Sequence, residues 1–217
     1  MSTEQQDIRH KLEQIQDVVT ILEAMGVPEL PYTQWLDGQF KKNQPLTGAN
    51  KTELCLKQAE IQRLTAEPDK ATILADDQAE LTIMQDKMAK MVELQTAIEQ
   101  AQQGEPGADQ RVADLLLAIS QDELNLKNQQ VTTLQDWIKL SPPDKQPALQ
   151  RLLQGEQYEV GQLEQIYALN QQIADLVRGG GDAATLAALR RREVHHELLI
   201  KEQNVRQLQA RLKGVAA

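Results

Sequence analysis

Residues 163–200 read LEQIYALNQQIADLVRGGGDAATLAALRRREVHHELLI, and this stretch decides the fold class. Leucine, isoleucine and valine recur at steps of three and four on both sides of the triple glycine Gly179-Gly180-Gly181. Such steps place apolar side chains on one face of an α-helix. Glycine supplies the left-handed conformation that ends many helices, and Asp182 can cap the helix that follows. The stretch therefore predicts two long amphipathic helices joined by a tight turn.

The same arrangement extends over residues 69–213. Four apolar-periodic segments, each of about 33 residues, are separated by three short breakers: Gly104-Glu105-Pro106-Gly107, Ser141-Pro142-Pro143 and the triple glycine. An aspartate is expected as the N-cap of each segment: Asp69, Asp109, Asp144 and Asp182. Because such short turns make neighbouring helices antiparallel, we predict an all-α fold, an antiparallel up-down bundle of four long helices with an N-terminal extension of shorter helices. Two stacked hairpins that share a core would fit the same pattern.

The first 66 residues form the predicted extension, and the bundle is assigned to 69–213. A heptad that runs from Ile8 to Leu22 predicts a helix over about residues 3–25. An aromatic segment over 30–40 follows and allows a short helix. A further helix is predicted over about 52–66. Cys55 is the one cysteine of the chain, and its position between two leucines predicts a small core residue and not a catalytic nucleophile.

Charge and composition limit the classes of function that we expect for this chain. The net charge is −9, yet residues 182–217 hold seven basic and four acidic side chains. An acidic body argues against binding to nucleic acid, which depends on neutralising phosphates. The absence of an apolar leader, of a stretch of about 20 apolar residues and of a second cysteine predicts a soluble cytoplasmic protein with no membrane contact. No cofactor and no catalytic residue is predicted, and the chain is expected not to be an enzyme.

One motif has the spacing of metal ligands. Glu193 and His196 form a Glu-x-x-His pair, which di-iron bundles use twice together with two further glutamates. Counting turns, Glu123 faces this pair from another helix, but a second such motif is missing. A metal site formed by these three residues is therefore the weaker hypothesis. The stronger one is a structural contact between Glu123 and His196, or solvent exposure.

Two groups of residues are candidate partner-binding surfaces. Tyr32, Trp35 and Phe40 hold three of the six aromatic rings, and aromatic side chains often anchor interfaces. They could equally cap the open end of the bundle. The run Arg190-Arg191-Arg192 is the densest positive cluster. It is interpreted first as a solvated helix face that pairs with acidic neighbours, and second as a docking patch for an acidic partner.

The stretch from Gln162 to Leu212 resembles the helical hairpins of flagellar and type III export chaperones. It has a long helix rich in leucine and glutamine, a Gly181-Asp182 turn, and then a charged heptad helix. The likeness covers about a quarter of the chain and carries no functional residue over. Phage scaffolding proteins share the acidic, glutamine-rich composition and the basic last helix. These resemblances imply a protein that acts by binding other proteins.

The leading hypothesis is therefore a non-enzymatic helical interaction protein, such as an adaptor, an export or assembly chaperone, or a scaffold. A bundle that binds a metal or small ligand is a first alternative. An acidic nucleic-acid mimic that inhibits a DNA-binding enzyme is a second. A protein partner is expected, and a homo-oligomer is possible because long heptads also pair between chains.

Overall fold

The computed structural model describes residues 3–28, 30–44 and 48–215. Within these ranges the chain is helical and contains no strand. The helices are α1 (Thr3–Met25), α2 (Tyr32–Lys42), α3 (Gly48–Leu64), α4 (Ala71–Gln102), α5 (Ala108–Leu140), α6 (Gln146–Arg178) and α7 (Ala183–Val215), with a 3-10 turn at Pro68–Lys70. The all-α prediction is confirmed, and the four long helices have 32 or 33 residues each.

The predicted extension folds into three helices. The bounds of α1 agree with the prediction, whereas α3 begins at Gly48, earlier than expected. Residues 1–2, 29 and 45–47 of this extension lie outside the described part of the chain. The expectation for Cys55 is wrong, because its side chain is exposed on α3. The neighbouring Leu56 is also 58% exposed, so this part of α3 turns both residues away from the core.

Only one of the four predicted aspartate caps forms. Asp182 accepts a hydrogen bond from the Thr185 N–H at 2.8 Å, and the bonds from Thr185 lower the pKa of Asp182. The other three predictions are wrong. Gly107, with a φ of 79°, occupies the N-cap of α5 and places Asp109 in the first turn. Asp69 lies in the 3-10 turn, and Asp144 precedes the N-cap of α6.

Consecutive long helices pack antiparallel. Between α4 and α5, Lys90 Nζ donates to Asp122 at 2.5 Å and Thr133 Oγ1 donates to Glu80 at 2.7 Å. Residue numbers rise along one helix as they fall along the other, which is the register of an antiparallel pair. The contacts from α5 to α6 follow the same rule, and so do the two contacts from α6 to α7 that join His196 to Gln162 and Gln207 to Gly155. The tight turns thus join neighbouring helices that run in opposite directions.

The four long helices do not close a ring by themselves. Within the described ranges, α4 and α7 do not pack closely on each other, whereas α2 packs against α4 and α1, and α1 packs against α7. The side chains of Trp35 and Leu36 on α2 join Leu94 and Val194 in one buried cluster. The extension therefore contributes a wall of the main core and is more than an appendage to a four-helix bundle.

Apolar burial is uneven along the helices. The hairpin end, defined as residues 123–162, comprises the second part of α5, the turn and the first part of α6. It holds twelve large apolar side chains, and each of them is exposed or only partly buried: Leu124, Leu126, Val131, Leu134, Trp137, Ile138, Leu140, Leu149, Leu152, Leu153, Tyr158 and Val160. None of the twelve belongs to the fully buried core, and Leu140, Leu152 and Tyr158 are exposed.

Charged groups occupy the inward positions at the hairpin end. Lys127 Nζ lies 2.6 Å from Glu156 and 2.7 Å from Glu159, and burial raises the pKa of Glu159. Thr133, which donates to Glu80, is also buried. Because these polar groups face the neighbouring helices, the apolar side chains beside them reach the surface. The large apolar clusters lie toward the other end of the helices, around Leu94, Ile173 and Leu163.

Candidate functional site

The two surfaces that the sequence singled out for partner binding meet each other. The guanidinium carbon of Arg190 lies 3.8 Å from the Trp35 ring centroid and 4.9 Å from that of Tyr32. The two rings stack with their centroids 6.0 Å apart, and the Tyr32 hydroxyl donates to Asp109. Trp35 is only 4% exposed. This cation–π contact joins α2 to α7 and occupies the faces with which Trp35 and Arg190 would meet a partner.

The remaining residues of the two surfaces lie elsewhere. Phe40 is partly buried and packs on the main apolar cluster. Arg191 donates to the Pro28 carbonyl at 2.9 Å, and Arg192 is exposed. Of the two interpretations of the aromatic cluster, this placement favours a cap on the bundle. Of the arginine run, Arg191 and Arg192 still face outward.

A buried charge cluster lies beside the cation–π contact. Lys42, at the end of α2, pairs with Glu197 and lies 3.9 Å from Glu193 on α7. Burial alone would lower the pKa of Lys42, but Glu197 and Glu193 raise it above its ordinary value. The Glu193 side chain is 2% exposed and that of Glu197 is 11% exposed. Two carboxyl groups thus share one ammonium group in a space with little water.

Four buried polar atoms at the same α2–α7 junction have no hydrogen-bond partner among the described residues: Trp35 Nε1, Gln39 Nε2, Arg190 Nε and Glu193 Oε2. An unsatisfied buried group costs about 1–3 kcal/mol. Gln39 is held from its other side, where Asn43 Nδ2 donates to Gln39 Oε1 at 2.8 Å. Aromatic rings thus pack at the junction between α2 and α7, but several buried polar atoms there lack a hydrogen-bond partner.

Burial, reinforced by the nearby Glu197, raises the pKa of Glu193 to about 8. The folded state therefore favours the protonated carboxyl, whose ordinary pKa is 4.5. Its stabilising contribution is complete below that value and is lost as the pH rises through about 8. We expect the free energy of unfolding to fall between about pH 5 and 8, and the Glu193→Gln variant to show a shallower fall. Chemical denaturation across this range measures both slopes.

Glu159, whose pKa is also raised, remains in both proteins, so the difference between the two curves isolates Glu193. His196, whose pKa is lowered by burial and by His195 and Arg192, acts at lower pH and in the opposite direction. Parallel curves for the wild type and the variant between about pH 5 and 8 would contradict the assignment of Glu193.

The residues of the metal hypothesis have separate partners. Glu193 faces Lys42, Glu123 pairs with Lys87 at 2.8 Å, and His196 Nδ1 contacts Gln162 Oε1 at 2.8 Å. The predicted contact between Glu123 and His196 is therefore replaced by these pairs. Although burial opposes it, Lys87 lowers the pKa of Glu123. Within the described residues, no three His, Cys, Asp or Glu side chains converge in a group that could hold a metal ion.

A basic cleft lies on the outer face of α7. Its volume is about 410 Å³, and its lining consists of Ala188, Arg191, Arg192, His195 and His196. The rings of His195 and His196 lie 5.8 Å apart. Arg191 and His195 are four residues apart, and so are Arg192 and His196. The four side chains therefore lie next to one another on the helix surface. The sequence pointed to the arginines of this cleft but assigned the histidines no role beside them.

A second groove of about 330 Å³ lies between α1, α3 and α7. Ile8, Leu56 and Leu208 form its apolar part, and charged side chains surround them. Its opposing charges include Asp7, Lys11 and Glu53. Because acidic and basic side chains surround this groove together, it favours neither an anionic nor a cationic ligand.

Sequence reasoning did not identify Lys42, Glu197 or Gln39. The one sequence signal that they carry is a polar side chain at a position that aligns with apolar neighbours on the same helix.

Of the described helices, none combines the length and apolar character that crossing a membrane requires. No protein-family model, no curated protein and no solved structure matches this chain, so the resemblance of residues 162–212 to export-chaperone hairpins stays an expectation from the sequence.

Proposed function

We propose that this protein is a non-enzymatic helical interaction protein, an adaptor, assembly or export chaperone, or scaffold, which binds a protein partner through the hairpin end. The observation that supports the proposal is the incomplete burial of all twelve large apolar side chains in residues 123–162. Fully burying one such side chain is worth about 1.5–3 kcal/mol. Three of the twelve, Leu140, Leu152 and Tyr158, are exposed, and large exposed apolar patches mark interaction sites.

The partner is proposed to present an amphipathic helix. The hairpin end consists of two antiparallel helices, and the shallow groove along such a pair accepts the apolar face of a third helix. Leu140 is 54% exposed, Leu152 is 39% exposed and Tyr158 is 38% exposed, so apolar contacts are offered on both helices. Four basic and five acidic side chains lie in the same segment, a balance that suits a protein partner better than nucleic acid. A cytoplasmic location belongs to the same proposal.

Mass measurement of native complexes isolated from the protein's own cells tests the proposal. We expect a hetero-complex that the double variant Leu140→Ser/Leu152→Ser loses at least tenfold, because two exposed leucines supply contact area that serine cannot. The matched control is Val92→Ser, since Val92 is 50% exposed on α4 but lies outside the hairpin end. The control should keep the complex, and both proteins should keep their helical content.

A chain that is always monomeric and alone would contradict the proposal. A mass of two copies in place of a hetero-complex would replace the foreign partner by a second copy of this chain. Loss of the complex in the Val92 variant with retention in the double variant would place the binding surface elsewhere.

A further inference from the structure

The basic cleft on α7 has positive charge that the molecule does not neutralise. The two acidic residues in this part of α7, Glu193 and Glu197, turn inward and pair with Lys42 on α2. No carboxylate of the described residues forms an ion pair with Arg191 or Arg192. In a chain with a net charge of −9, helix α7 thus holds Glu193 and Glu197 on its inner face and Arg191 and Arg192 on its outer face.

Uncharged hydrogen-bond partners hold two of the four arginine and histidine side chains of the cleft. Arg191 donates to the carbonyl of Pro28 at 2.9 Å, and His196 contacts the amide oxygen of Gln162 at 2.8 Å. These contacts fix the direction of both side chains without compensating charge. Among the described residues, Arg192 has no hydrogen bond or ion pair, and His195 contacts the His196 ring. Part of the cleft is therefore preorganised, and the rest is available to a ligand.

We propose that the Arg191–Arg192–His195–His196 cleft binds a phosphate group. Two permanently charged guanidinium groups match the charge of about −1.5 to −2 on a phosphomonoester at neutral pH. Guanidinium and imidazole N–H groups supply more donors than a single carboxylate can accept, whereas a phosphate offers three acceptor oxygens. The cleft volume of about 410 Å³ exceeds the space of the anion itself, so the group can be carried on a larger molecule.

Amide NMR titration of the full-length chain tests this site. We expect inorganic phosphate and a short peptide with one phosphoserine to give saturable shifts at residues 188–196. The same peptide with glutamate in place of phosphoserine should bind at least tenfold more weakly. Tighter binding of the phosphopeptide than of inorganic phosphate identifies a phosphate carried by a partner, and equal binding identifies the free anion. Both results support the site.

The variant Arg192→Gln/His195→Gln should weaken binding of phosphate at least tenfold, which corresponds to about 1.4 kcal/mol. Because both side chains are exposed, the variant should fold like the wild type. The control is Arg178→Gln, since Arg178 is an exposed arginine that pairs with Asp114 and Asp175. Shifts that do not saturate, shifts of equal size around Arg178, or unchanged binding by the double variant would overturn the proposal.

Discussion

Replacing Trp35 by alanine is expected to lower the free energy of unfolding by about 3–5 kcal/mol, the cost of a large cavity in a packed core. Trp35 is 4% exposed and belongs to the cluster that joins α1, α2, α4, α5 and α7. The variant also removes the ring that Arg190 covers at 3.8 Å, which leaves a partly buried guanidinium without the closer of its two aromatic partners. Urea denaturation followed by circular dichroism measures the loss.

Tyr158→Ala is the matched control for this prediction. Tyr158 is an aromatic residue on α6 that is 38% exposed, so its truncation should cost less than about 1 kcal/mol. A similar small effect for Trp35→Ala would show that α2 does not anchor the core, and its role as a wall of that core would have to be abandoned.

Replacing Lys42 by methionine is expected to destabilise the protein by about 3 kcal/mol or more near neutral pH. The substitution keeps the length of the side chain but leaves the carboxyl groups of Glu193 and Glu197 without their shared cation. Removing one partner of a buried ion pair costs about 3–5 kcal/mol. The loss should grow as the pH rises through about 8, because Glu193 then ionises without the ammonium group that opposes its charge. Denaturation curves at about pH 7 and pH 9 measure the difference.

The neighbouring lysine provides the control. Lys41 pairs with Asp37 at 2.8 Å, but both side chains are more than half exposed, and such pairs contribute about 0–1 kcal/mol. Lys41→Met should therefore leave stability nearly unchanged. Equal effects of the two substitutions, or a Lys42→Met loss that does not depend on pH, would contradict the buried charge cluster.

The helices could be predicted from the sequence because their signals are local. Apolar steps of three and four, with glycine and proline between segments, fix where the long helices begin and end to within a few residues. The position of α2 could not be predicted in this way. The contacts of Trp35 with Arg190, and of Lys42 with Glu197, join residues that are about 155 positions apart. No local pattern encodes such a pairing.

The incomplete burial of the hairpin end could not be predicted from the sequence for a related reason. Periodicity shows that Leu134 and Leu153 share a face with other apolar residues, but it does not show whether another helix covers that face. In the folded chain Lys127 and Glu159 take inward positions, and the apolar side chains remain partly uncovered. The sequence indicated two candidate partner surfaces. In the folded chain parts of these two surfaces contact each other, and the proposed partner surface lies in residues 123–162.

Hydrogen–deuterium exchange of the isolated chain and of its native complex tests the central claim most directly. The proposal predicts that complex formation slows exchange in residues 123–162 and leaves α2 (Tyr32–Lys42) unchanged. Protection confined to α2, or a complex whose hairpin end exchanges as fast as that of the isolated chain, would contradict it.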